Sequence, residues 1–121
     1  MDREGPSGDP TTTEQAATCT RFNVVPFPCA DASKLGIALQ TQRHLPLNAL
    51  RHPPAAGTCG WYIWWGDTWT SDPEFYQPLH VAHLGDRCPD IIPHLALPPG
   101  WRVQLAPGHE DCWFDEALLH V

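Results

Sequence analysis

A chain of 121 residues has the length of one domain, large enough to bury a core without obligatory staples. Its 7 Lys and Arg stand against 14 Asp and Glu, and the formal charge of −7 argues against a nucleic-acid surface, which needs clustered cations, and suits a basic partner instead. No apolar stretch approaches the roughly 20 residues of a membrane span.

No charged and apolar leader opens the chain. Five cysteines are scattered singly with no Cys-x-x-Cys pair, and an odd count cannot be fully bridged within one chain. Reduced thiols in a cytoplasmic protein are therefore expected, with secretion and one or two disulfides as the lesser alternative. Fourteen prolines and nine glycines cut the chain into short elements.

Residues 1–13 carry almost nothing apolar and read as a disordered tail, leaving 14–121 as a single domain. Residues 14–22 suit a short helix, which the Val24-Val25-Pro26-Phe27-Pro28 arm stops. Residues 35–41 alternate, with Leu35, Ile37 and Leu39 on one side, and predict the first core strand. Residues 44–54 combine aliphatic anchors with three prolines and read as a packed loop crossing the sheet end.

Gly60-Trp61-Tyr62-Ile63-Trp64-Trp65-Gly66 is the densest run of ring and branched side chains, and it predicts a strand covered on both faces. Ser71-Asp72-Pro73-Glu74 is a helix start, with a capping side chain before proline and an acid in the first turn. Residues 88–95 suit a second short helix, limited by Pro93. Trp101-Arg102-Val103-Gln104-Leu105 alternates with period two, and residues 110–115 can return as its antiparallel hairpin partner. Residues 116–121 add a helical turn or a short edge. Connections this short predict an α+β fold with a mostly antiparallel sheet of about four or five strands and short helices against it.

Chemistry-bearing patterns are sparse. His80-x-x-His83 invites a metal reading, with His94, His109, Asp115 or Cys88 to complete a site, but a Glu-bearing His-Glu-x-x-His motif is absent from the sequence. Asp111, Asp115 and Glu110 suit a solvated rim better than paired acid–base carboxylates. Cys88 reads as a small buried hydrophobe more than as an activated thiol. Neither a Gly-x-Ser-x-Gly elbow nor a Gly-rich phosphate loop occurs, and the arginines are isolated. Of six tryptophans, Trp61, Trp64, Trp101 and Trp113 are assigned to the core, while Trp65 and Trp69 are candidates for exposure.

Five ordered blocks carry a family resemblance over residues 35–121. They are Pro46-Leu47-Asn48-Ala49-Leu50-Arg51-His52-Pro53-Pro54, Gly60-Trp61-Tyr62-Ile63-Trp64, Pro78-Leu79-His80-Val81-Ala82-His83-Leu84, Leu97-Pro98-Pro99-Gly100-Trp101-Arg102 and Glu110-Asp111-Cys112-Trp113-Phe114-Asp115. With them the chain resembles the bacterial immunity protein family thirty-three-like domain of polymorphic-toxin systems, departing from its pattern at Trp65, His109 and Cys112. The resemblance implies a non-enzymatic protein that neutralises one cognate toxin by non-covalent binding, with no catalytic residue and no cofactor to carry over. The expected partner-binding residues are Trp65, Asp67, Trp69, Asp72, Glu74, Glu110 and Asp111. The alternatives are a metal-binding protein or metal-dependent enzyme centred on His80 and His83, or an interaction domain unrelated to toxins.

Overall fold

The computed structural model describes residues 10–67, 70 and 72–120, so residues 1–9 of the expected 1–13 tail lie outside the described residues, while residues 10–13 are helical rather than disordered. Helix α1 spans Pro10–Arg21 and begins four residues before the expected position, with proline at its first turn where the missing N–H costs nothing. It ends on Asn23, whose φ of 60° is left-handed, while the Val24 N–H reaches back to the Cys19 carbonyl at 2.9 Å. That is the arrangement by which a helix satisfies its last carbonyls. Thr18 and Cys19 face inward, and Gln15 donates to the Ile92 carbonyl at 2.9 Å.

Six strands follow: β1 Lys34–Ile37, β2 Leu47–Arg51, β3 Thr58–Trp65, β4 Gln77–His80, β5 Trp101–Ala106 and β6 His109–Phe114. They form one sheet in the order β4-β1-β3-β2-β5-β6. Every pairing is antiparallel except β1 with β3, which run parallel through Gly36 opposite Tyr62 and Ile37 opposite Ile63. The sheet is thus mixed and larger than the four or five mostly antiparallel strands expected.

Two strands account for the difference. Residues 47–51, read as part of a proline-rich loop, form β2, because Pro46 and Pro53 bracket the strand without entering it. Strand β4 contains Pro78 and sits at the sheet margin, where a residue lacking an N–H is tolerated. The first core strand is shorter than expected: it stops at Ile37, and Leu39–Thr41 is a 3-10 turn whose Thr41 hydroxyl accepts the Trp65 N–H at 2.9 Å.

The aromatic run is β3, an interior strand as anticipated, buried at six of its eight positions, the exceptions being partly exposed Tyr62 and exposed Thr58 at its start. Gly60 sits at φ 95°, and a Cβ there would lie 1.9 Å from the His52 carbonyl oxygen, so only glycine fits. On one face of the sheet, Leu35, Ile37, Ala49, Trp61, Ile63 and Val103 pack beneath α1, the short helix α2 (Leu84–Arg87) and the 3-10 segment Pro89–His94. On the other face, among the described residues, a smaller cluster of Ala38, Leu50, Trp64 and Leu118, the last from the C-terminal 3-10 turn Glu116–Leu119, is packed by Tyr62, Phe75 and Tyr76.

Candidate binding surface

The sparsely covered face of the sheet holds an open groove of about 630 Å³. Tyr62 lies in it, with its ring 5.6 Å from the His52 ring and 5.3 Å from the Tyr76 ring, both edge-on. Gly36 on the neighbouring strand makes room, since a Cβ there would come within 2.8 Å of the Tyr62 ring. His52 Nδ1 donates to the Leu118 carbonyl at 2.9 Å, tying one wall to the C-terminal turn. The Tyr76 hydroxyl donates to the Thr70 carbonyl at 3.2 Å, and burial, then the nearby Tyr62, pushes its pKa up. With Leu50 and Pro78 also in the lining, the groove is an apolar seat with Lys34 as its charged member, suited to holding a side chain more than to moving a proton.

Beyond the groove the sheet ends at β6, where Trp113 is 39% exposed and Phe114 51%. Trp113 was expected in the core. It lies opposite Arg102 on β5, on the face away from α1, so its parity turns it outward. Phe114 has the other parity: it leans on the Trp101 ring at 6.2 Å and on Gly100, where a Cβ would lie 2.5 Å from it. Arg102 Nε donates to Asp115 at 2.8 Å, and that bond, with a second from the Ala117 N–H, holds the Asp115 carboxyl below its ordinary pKa.

The residues expected to bind a partner do not converge. Trp65 is only 6% exposed and belongs to the main core, because its parity on β3 is that of Trp61 and Ile63 beneath the helical layer. Trp69 lies outside the described residues. Asp67 is exposed just past the end of β3, and Asp72 and Glu74 are exposed ahead of β4, with Asp72 capping the 3-10 turn Pro73–Phe75 by accepting the Glu74 N–H at 3.0 Å. Glu110 and Asp111 lie on β6 at the opposite margin, five strand spacings or about 24 Å from β4, although Glu110 shares a register row with Leu105, Leu47 and Trp65, about 14 Å from the end of β3 that precedes Asp67.

Glu110 is also not a free surface charge. Arg21 of α1 donates to it at 2.7 Å and His94 at 2.6 Å, and these bonds, His94 foremost, hold its pKa below the ordinary glutamate value. It clasps α1 and the 3-10 segment to the sheet. Asp111 faces the other way and stays exposed.

The metal alternative finds its two central histidines side by side, but among the described residues no further expected ligand joins them. His80 and His83 are exposed, with ring centroids 6.1 Å from each other. His109 bonds Gln104 at 3.0 Å, Asp115 is held by Arg102, and Cys88 is buried with its pKa pushed up to about 11 by burial. Among the described residues, the ligand-type atoms that do meet are those of His94, Glu110 and Cys112, all within 4.8 Å. There the Arg21 guanidinium already supplies positive charge to Glu110, while burial, then Glu110, pushes the Cys112 thiol up to about 12. Among the described residues, His94 Nδ1 is buried and has no hydrogen-bond partner.

Sequence reasoning missed Arg51, which it counted among isolated basic residues. The side chain is 1% exposed at the centre of the molecule. Its guanidinium donates to the carbonyls of Cys59 (2.9 Å), Phe27 (2.6 Å), Leu95 (3.1 Å) and Leu97 (2.8 Å), and to Cys29 Sγ at 3.3 Å. The Phe27 and Trp61 rings flank it at 4.9 and 5.6 Å. The only signal for it in the sequence is its place inside an apolar strand.

A family model for the Imm33-like domain matches residues 14–115, so the likeness begins at α1 and the arm after it, about twenty residues earlier than the five sequence blocks indicate. No curated protein and no solved structure matches the chain.

Proposed function

The chain belongs to the Imm33-like domain family, an immunity-protein family, and from that premise we propose that it neutralises a cognate bacterial toxin by non-covalent binding, in the cytoplasm of the cell that makes it. The observation that carries the reading from family to surface is the side of the sheet opposite α1, which is only sparsely covered among the described residues. There an apolar groove around Tyr62 and an exposed Trp113 leave ring surface open to a partner. Aromatic anchors set among polar groups are where binding energy concentrates in protein interfaces.

The excess of 14 acidic over 7 basic side chains favours a basic toxin, and Asp67, Asp72, Glu74 and Asp111 are among the exposed acids available to steer it. Trp113 takes the anchoring role first assigned to Trp65. Binding of this kind needs shape and charge complementarity and no bond-making residue. Co-expression with the product of a neighbouring effector gene tests the proposal: rescue of growth and co-purification of a stoichiometric complex are expected. Unchanged killing with no complex would remove the immunity reading.

A further inference from the structure

Strand β6 ends the sheet, and its outer edge pairs with nothing among the described residues. The register decides which backbone groups that leaves. Opposite residues of an antiparallel pair alternate between bonded and non-bonded, and the Asp115 N–H reaches the Gly100 carbonyl at 2.7 Å. Moving along the ladder from that pair in alternate steps, Trp113 opposite Arg102, Asp111 opposite Gln104 and His109 opposite Ala106 are the residues bonded to β5. The His52 N–H on the Gly60 carbonyl at 2.9 Å fixes the same alternation independently, carried through β2 and β5. The N–H and C=O groups of Glu110, Cys112 and Phe114 therefore point out of the sheet, and no described side chain or loop bonds them. Such a row, in a strand of six residues without proline, lysine or bulge, is a template for one more strand.

We propose, resting on the immunity reading, that the cognate toxin adds an extended segment of its own to the edge of β6, and that this segment alternates basic and apolar side chains. Side chains of an added strand stand beside those of β6 and share its two faces. On the face away from α1, β6 presents Asp111, exposed and without an ion-pair partner among the described residues, and Trp113, which is 39% exposed. A cation placed there meets a carboxylate and an indole ring. On the α1 face the neighbours are half-buried Cys112 and exposed Phe114, while Glu110 is already held by Arg21 and His94. Apolar side chains of the added strand extend that surface.

Charge selects the toxin over a second copy as the occupant. Residues 110–116 hold Glu110, Asp111, Asp115 and Glu116, and two chains of formal charge −7 would bring these acids together, whereas a basic segment meets them with the opposite sign. Backbone hydrogen bonds give such a joint its affinity, and the alternation of side chains gives it register.

The test is amide hydrogen exchange, read residue by residue by NMR, on the isotope-labelled protein alone and in its complex with the purified product of the neighbouring effector gene. In the free protein the amides of Glu110, Cys112 and Phe114 exchange freely while those of Asp111 and Trp113 are protected by β5; in the complex the first three slow by at least about tenfold. Cys112→Pro, which removes one outward N–H at a position where a sheet edge tolerates proline, lowers the affinity about 10- to 100-fold, and Cys112→Val, which keeps that N–H, leaves it within about twofold. A complex that forms and rescues growth while those three amides exchange as fast as before would overturn the strand addition and leave the immunity reading standing. A free protein that sediments as a dimer with the three amides already protected would give the edge to a second copy and overturn it as well. With neither rescue nor complex, both readings fall together. The exchange pattern is measured on the unsubstituted chain, so it decides the matter even where the proline variant does not fold.

Discussion

Replacing Arg51 by methionine keeps most of the side-chain volume and removes the guanidinium. Four carbonyls lose its N–H groups; the Leu95 oxygen retains the Trp61 indole N–H at 2.9 Å, leaving the Phe27, Cys59 and Leu97 carbonyls without their side-chain donor. Each buried polar group left unsatisfied costs about 1–3 kcal/mol. The desolvation of the guanidinium, no longer needed, offsets part of that sum, and a net loss of about 3–5 kcal/mol is expected, in line with breaking other buried charge networks. For 121 residues the unfolding entropy is about 0.25 kcal/mol per degree, so Tm should fall by about 12–20 °C.

Urea titration followed by tryptophan fluorescence measures this directly, since Trp61 lies against the substituted group. Arg51→Lys should lose less, keeping a point charge but not the fork that reaches four carbonyls at once. A methionine variant within about 1 kcal/mol of the parent would show that the carbonyl network contributes nothing net, and the reasoning would fail.

Trp113→Ala should leave the urea midpoint nearly unchanged yet weaken the toxin complex by about 2 kcal/mol, roughly 30-fold in Kd by calorimetry. Trp65→Ala should do the reverse, costing about 3–5 kcal/mol of stability with the intrinsic affinity of the folded fraction intact. Glu110 is held below its ordinary value of 4.5, so it favours the fold above that pH and loses this contribution as pH falls through its lowered value. Acid titration by circular dichroism should therefore find Glu110→Gln less stable than the parent near neutrality, with the difference shrinking below pH 4.5. A gap that stays constant down to acid would remove the linkage.

What could be read from the residues was local. The Trp61 to Trp65 run announces an interior strand because it is bulky, apolar and free of breakers, and Trp101 to Leu105 announces a hairpin arm by its alternation. Strand β2 hid for a physical reason: Leu47, Ala49, Leu50 and Arg51 are all buried, so the strand has no wet face to give a period of two, and the prolines on either side resemble loop punctuation. The parallel pairing of β1 with β3 depends on tertiary packing across the intervening β2, which no local pattern encodes.

The binding surface was legible as a residue type and not as a place. Aromatic surplus was evident, but whether Trp65 or Trp113 faces outward depends on which side of the sheet receives α1, and that is fixed only once the chain has folded. Glu110 looked like any rim carboxylate until Arg21 and His94 came to it from two other elements.

The two margins of the sheet are chemically unequal. One is four residues long and bears Pro78, while the other, β6, runs for six residues with none. Adding a foreign strand is therefore a one-sided affair, and should two copies ever join through β6, both proline-bearing sides would point away from the seam. Growth from such a pair would then have to proceed through the edge that carries Pro78, which lacks one N–H for a further strand.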